Sequence, residues 1–379
     1  EWQNMGHQVH FIGGREANYW QSSDLNNFLI IKKHQKNVVE KAVRKVQSLI
    51  HLPYLNYFES RRFAKIILDK IDFMDCLYER TSWMSYGGWM AANKKGVPLI
   101  LEYNGDPLHD LKSKGQLPAG LQLTISKSLF RYNLEHAKLL IASGQGWKNN
   151  LINKWHIPPE KISVVENGTI LINLLRRDDL ANFQTNKPNS EVKIAYLGSF
   201  YPWHGTKIAI NAFHELLKQG EKACLIMIGS GSDLEENKRH VNHLGLQDKV
   251  IFTGALPPEE YARILANCEI GLSPYCGWTE YSGLKLFDYK AAGLAIIASG
   301  ENGQPETIIH NETGLIIPPC DEKALFEAMK FLAQNREFTS RLGQRARLEA
   351  ESKHSWKHTA EKIISVINQV VEDKNRSTD

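Results

Sequence analysis

The chain has 379 residues, with 46 Lys and Arg against 42 Asp and Glu, a formal net charge of +4. At roughly 150 residues per domain, that length predicts two domains. A composition of 42% hydrophobic and 23% charged residues excludes a disordered chain, a collagen-like repeat and a disulfide miniprotein. No apolar run approaches the ~18 residues of a membrane-spanning helix.

The opening residues EWQNMGHQVHF carry no signal peptide and read as a helix end passing through Gly6 into a strand. The expectation is that the opening strand of an α/β fold is missing. HQVHFIGG (7–14), CLYERT (76–81), VPLILEYNG (97–105), AKLLIASG (137–144) and ISVVENG (162–168) follow as β-rich runs, with amphipathic stretches at 35–50 and 121–136 between some of them. Strand and helix alternating in this way predict a parallel sheet covered by helices. The polar stretch 178–192 is the expected linker. Alternation then restarts with VKIAYLGSF (192–200), ACLIMIGSG (223–231), KVIFTG (249–254), EIGLSPY (269–275), LAIIAS (294–299) and GLIIPP (314–319), so a second doubly wound domain is expected. The predicted division is 1–185, 186–353, and a final helix, 354–379, that packs back on the first domain.

The halves differ in charge. Residues 1–190 carry 25 basic and 17 acidic side chains, and residues 191–379 carry 21 and 25. Either the domains have different partners or the difference is a fluctuation. Five cysteines, with no CxxC pair, argue against a disulfide framework and a structural zinc site, and point to a reducing cytoplasm. Within the basic half, KNVVEKAVRKVQSLIHL sets Val39, Val43, Val46 and Ile50 along one helix face. That stripe either packs on the sheet or lies on an anionic membrane surface. Nucleic acid is a poor partner at this charge density, and no recognition motif is present.

In an open parallel sheet, ligands bind beyond the carboxyl ends of the strands. GSFYPWHG (198–205) leaves a strand there and enters a helix. Gly198 and Gly205 suit a tight turn with amides open to a phosphate, and His204 and Lys207 add positive charge. The loop is neither a Walker loop nor GxGxxG. GSGSD (229–233) is either a ligand-contacting turn at Gly229 or a structural turn with Asp233 as helix cap. Backbone at Gly254, Ala255 and Leu256 can hydrogen-bond a planar base. Glu280 precedes a helix and Asp288 lies within it, so both can accept bonds from polyol hydroxyls. The amides of Ser282, Gly283 and Leu284 between them can hold a phosphate.

These segments resemble, in order, the signatures of GT-B fold glycosyltransferases of family 4, the group 1 retaining enzymes. VVENGT (164–169), YLGSFYPWHG, IGSGSDLEENKRHVNHLGLQDKVIFTG and EYSGLKLFDYKAAGLAIIAS carry the resemblance, which extends to YERTSWMSYGGW and VPLILEYNG. It implies two Rossmann-like domains facing a cleft. It also implies retaining transfer of a sugar from a nucleoside diphosphate sugar to a glycan, lipid-linked or other polar acceptor, without a metal or other cofactor. Glu280 would hold the donor sugar, Asp288 the ribose, Ser282–Leu284 the diphosphate and Gly254–Leu256 the base. Asn104 stands where many members have a histidine facing the sugar. The family's usual Arg and Lys of the first loop are Ser199 and His204 here, with Lys207 and Lys285 as possible substitutes. An ordinary histidine at 204 predicts donor binding that changes near pH 6.5. The resemblance and the basic half place the protein in the cytoplasm, peripheral at the inner face of the membrane. The alternative is a catalytically silent nucleotide-sugar binder or interaction protein.

Overall fold

The computed structural model describes residues 1–13, 28–30, 38–50, 56–113, 115–176, 180, 191–277, 283–301, 303 and 305–376. The chain divides into two compact units, Glu1–Val165 with Ala360–Asp379, and Glu166–Thr359. The polar stretch 178–192 lies outside the described residues except for Leu180, Glu191 and Val192.

The first unit opens with a 3-10 turn, Gln3–Met5, closed by Gly6 at φ 88°. Strands β1 (Phe11–Gly13) and β2 (Phe28–Ile30) form a parallel pair of their own. Helices α1 (Val38–Leu49) and α2 (Tyr57–Lys70) follow, then β3 (Leu77–Arg80), α3 (Gly87–Lys95), β4 (Leu99–Tyr103), α4 (Pro107–Ser113) and α5 (Gly120–His136). Next come β5 (Leu139–Ala142), α6 (Gln145–Trp155) and β6 (Ile162–Val164). The main sheet has the order β3-β4-β5-β6 and is parallel throughout. Parallel strands covered by helices are apolar along their length, and all four residues of β5 are buried. On one side, Ala64, Ile67 and Ala91 join α2 and α3. A second cluster joins Ile100, Ile141 and Val165 to Ile363, Ile367 and Val370 of the last helix. Each such buried side chain contributes roughly 1.5–3 kcal/mol.

Helix α1 departs from the packed reading of its stripe. Val39 is 62% exposed, Val46 55% and Ile50 57%, whereas Glu40 is 0% exposed. The acid, not the valines, faces inward, because Arg44 and Arg62 bond both of its oxygens, Arg62 at 2.7 Å.

The second unit begins with α7 (Leu171–Leu174) and β7 (Val192–Leu197). It continues with α8 (Thr206–Lys218), β8 (Ala223–Ile228), α9 (Leu234–His243), β9 (Val250–Gly254), α10 (Pro258–Ala266), β10 (Ile270–Ser273) and α11 (Leu284–Ala291). It ends with β11 (Ala295–Ser299), β12 (Gly314–Ile317), α12 (Glu322–Gln334), α13 (Arg336–Lys353) and the first turn of α14 (Trp356–Arg376). The sheet order is β12-β11-β10-β7-β8-β9, all parallel. The winding runs β7 to β9 in one direction and restarts at β10 on the other side of β7. The strand order therefore switches between β7 and β10, where a doubly wound sheet opens a crevice.

Two features tie this unit together. Lys290 of α11 is fully buried and bonds Glu349 of α13 at 2.8 Å. The unit's two ends are also joined. Thr169 N donates to His354 O at 2.8 Å, Thr359 Oγ1 donates to Glu166 O at 3.0 Å, and a Cβ on Gly168 would stand 2.6 Å from Trp356 N. Cysteine spacing argued against disulfides, but the fold brings Cys276, just after β10, to Cys320, just before α12, and the two are bonded. Their separation of 44 residues carries no motif.

Candidate active site

The loops after β7 and β10 leave the sheet on either side of the switch point, and Cys276 N donates to Trp203 O at 2.9 Å to join them. The β7 loop is also stitched to its other neighbour. Gly198 N donates to Ile228 O and Phe200 N to Ser230 O, both at 2.9 Å, and Gly229 N donates to Gly254 O at 2.8 Å. A Cβ on Gly229 would overlap the Gly198 carbonyl oxygen, so glycine is required where these strand ends touch. The Gly198 and Gly229 amides are thus spent on the scaffold rather than left for a phosphate. Gly205 begins α8, with its Cα against the Pro274 carbonyl. Asp233 occupies the cap position of α9, but its carboxylate accepts from Ser232 Oγ at 2.7 Å instead of capping the helix.

The cation at this crevice comes from α11. Lys285 lies in the first turn, is buried, and holds Nζ 4.8 Å from the Tyr196 ring centroid and 4.6 Å from that of Tyr275. Ammonium over aromatic faces is attracted by the ring quadrupole. A Cβ at Gly198 would stand 3.2 Å from Nζ, so the glycine makes the room the lysine occupies. Gly283 and Leu284 open the same helix, and Leu284 is exposed. The Leu286 amide turns back to Gly283 O at 3.0 Å, while the amides of Leu284 and Lys285 have no intrahelical acceptor. Glu280 and Ser282 lie outside the described residues.

Two expected cations do not contribute in the expected way. His204 Nδ1 contacts the Ser199 carbonyl, which can only accept, so Nδ1 carries the proton of a neutral ring. Burial and the nearby Lys285 charge push the imidazole pKa down to about 4, against the opposing pull of that carbonyl. The expected change near pH 6.5 is therefore corrected: His204 is neutral throughout that range. Lys207 pairs with Glu236 at 3.3 Å on the surface of α8 and α9. The Ser199 carbonyl also accepts from Tyr196 OH at 2.7 Å.

Asp288, one turn beyond Lys285, is held by residues the sequence did not single out. Thr169 Oγ1 donates to Oδ1 at 2.5 Å and Tyr261 OH to Oδ2 at 3.1 Å. Burial pushes its pKa up to about 6, against the lowering effect of these two bonds. Thr169 stands in the quoted VVENGT segment, 119 residues from Asp288, so only the fold shows the pairing. At the end of β9, the Gly254 carbonyl is taken by Gly229 N. Ala255 is exposed and Leu256 is half-buried against the core. In the first unit, Asn104 at the end of β4 donates Nδ2 to Glu102, whose other oxygen accepts from Tyr78 OH at 2.6 Å. Among the described residues, no cluster of His, Cys, Asp and Glu has the makings of a metal site.

A family model described as Glycosyltransferase Family 4 matches residues 1–171, and one described as Glycosyl transferases group 1 matches residues 178–349. The chain belongs to the group 1, family 4 glycosyltransferases. This glycosyltransferase is 23% identical over 299 residues to D-inositol 3-phosphate glycosyltransferase of Corynebacterium efficiens, covering 76% of this chain and 69% of that protein. It is 25% identical over 312 residues to an uncharacterized glycosyltransferase of Methanocaldococcus jannaschii, covering 80% and 77%. Among solved structures, a glycosyltransferase from Rickettsia africae superposes with a TM-score of 0.70 at 18% identity, covering 97% and 92%. Anabaena HepE in complex with UDP superposes at 0.69 and 17%, covering 91% and 92%. These likenesses give the glycosyltransferase the GT-B fold, in accord with its two parallel-sheet units.

Proposed function

We propose that this glycosyltransferase transfers a sugar from a nucleoside diphosphate sugar to a glycan, lipid-linked or other polar acceptor, with retention at the anomeric carbon. The observation that carries the donor reading is Lys285, buried over Tyr196 and Tyr275 in the first turn of α11, beside the switch point of the sheet. A fixed cation and two amides at a helix start suit a diphosphate, and the charge they offset is the charge that grows as the sugar leaves. On this reading Ser282, Gly283, Leu284 and Lys285 hold the diphosphate. Asp288 accepts a ribose hydroxyl, Ala255 and Leu256 meet the base, and Glu280 holds the sugar. The role of Asn104 rests on the family resemblance. UDP and UDP-glucose, the ligands of the Anabaena HepE structures, are the first donors to test. The acceptor reading, with the basic half of the chain, also supports a position at an anionic membrane surface.

The experiment is calorimetric titration with a panel of nucleoside diphosphates, followed by NMR of the product anomer. Binding of one diphosphate, weakened by Lys285→Met, with product of the donor's anomeric configuration is expected. Unchanged affinity in Lys285→Met removes the diphosphate assignment, and an inverted product removes retention.

A further inference from the structure

Helix α1 is built the wrong way round for a helix packed only on its own domain. At 3.6 residues per turn, Val38, Val39, Val46, Leu49 and Ile50 fall within one arc of about 120° that leaves out Glu40. All five are exposed, Leu49 at 69%. The inward side is polar. Glu40 accepts from Arg44 Nε at 3.0 Å and from Arg62 at 2.7 Å, and Arg44 also reaches Glu59. Turning the helix over to bury the valines would carry Glu40 away from α2, breaking its bond to Arg62 and the bond of Arg44 to Glu59. The outward apolar face is therefore fixed by the ion pairs beneath it.

The charges at its edge say what fits there. Lys41 and Lys45 lie beside the apolar side and are exposed, as are Arg61 and Lys65 of neighbouring α2. The outward side of α1 carries no acid, since Glu40, the helix's only acidic residue, points inward. A second copy of the chain meeting this face through α1 would bring lysines against lysines. An anionic lipid surface supplies both missing halves, acyl chains for the valines and phosphates for the lysines.

We propose that α1 is the membrane-contact element, lying in the plane of an anionic bilayer with Val38, Val39, Val46, Leu49 and Ile50 immersed and Lys41 and Lys45 at headgroup level. This deepens, and rests on, the membrane reading above. It is tested apart from glycosyl transfer, because vesicle binding needs neither donor nor acceptor. The full chain is sedimented with phosphatidylcholine vesicles with and without phosphatidylglycerol, and nucleoside diphosphate affinity is measured beside it as a check of the site.

The chain is expected to sediment with the anionic vesicles and to be released by salt. Val46→Asp with Leu49→Asp, both on exposed positions, abolishes sedimentation while leaving circular dichroism and nucleotide affinity unchanged. Lys41→Glu with Lys45→Glu, which leaves the apolar face intact, weakens it by at least about 25-fold, at about fivefold for each lost cation. Three results overturn the proposal: a wild-type chain that stays in the supernatant with anionic vesicles, either double variant sedimenting as the wild type does, or a wild-type dimer that Val46→Asp with Leu49→Asp splits.

Discussion

Replacing Asp288 by Asn gives a test whose size depends on pH. The carboxyl has an ordinary pKa of 3.8, pushed up to about 6 by burial. At 1.36 kcal/mol per pH unit, the ionised form is about 3 kcal/mol more costly in the folded chain than in the unfolded one. The folded state binds the proton more tightly, so this contribution to stability is fully present below pH 3.8 and is lost as pH rises through about 6. Asn carries no such burden. Like the protonated carboxyl, it has one carbonyl acceptor and one donor group to set against Thr169 Oγ1 and Tyr261 OH. Asp288→Asn is therefore expected to match wild type to within about 1 kcal/mol at pH 4 and to be more stable by about 3 kcal/mol at pH 7. Urea unfolding of both proteins at a series of pH values reads the difference directly. Nucleoside diphosphate affinity should fall in the same variant, because a ribose hydroxyl loses its anionic acceptor. A stability difference that stays constant across this range would refute the reasoning, since it would mean that Asp288 titrates alike in both states.

Gly229→Ala is expected to cost on the order of 3 kcal/mol or more, because φ is +135° and the new methyl meets the Gly198 carbonyl. Gly254→Ala, with φ +75° and open space around it, should cost only about 1–2 kcal/mol; thermal denaturation of the pair separates overlap from backbone strain. Removing the Cys276–Cys320 bond with Cys320→Ser should lower stability by up to about 4 kcal/mol for a 44-residue loop on the chain-entropy model, read by urea unfolding with and without reductant. Lys290→Met should cost about 3–5 kcal/mol by leaving Glu349 without its buried partner, and Lys290→Met with Glu349→Leu should recover most of it.

The strands were legible because glycine and polar turns punctuate short apolar runs, so β5 in AKLLIASG and β11 in LAIIAS lie inside their predicted segments. The glycine loops were legible as strand ends, and the structure sets them on both sides of the switch point. What a loop amide does was not legible, because that depends on a neighbour from another strand. The Gly198 and Gly229 amides went to Ile228 and Gly254 for that reason. The period of α1 showed that it has two faces but not which one is inward. That was decided by Arg62, on the next helix, reaching Glu40. The partners of Asp288, the tautomer of His204 and the Cys276–Cys320 bond all depend on contacts between segments far apart in sequence or on local burial, and no spacing rule encodes them.

The bonded ends of the second unit bear on how such a chain can be rearranged. Glu166 and Thr359 begin and end one uninterrupted stretch, and Thr359 Oγ1 sits 3.0 Å from the Glu166 carbonyl. The second unit is thus an insertion whose two ends already touch, set between the two segments of the first, up to Val165 and from Ala360. A cassette with meeting ends can be exchanged for another of its kind without stretching the host on either side. Recombination at this pair of sites would exchange the second unit while leaving the first, and α1 with it, unaltered.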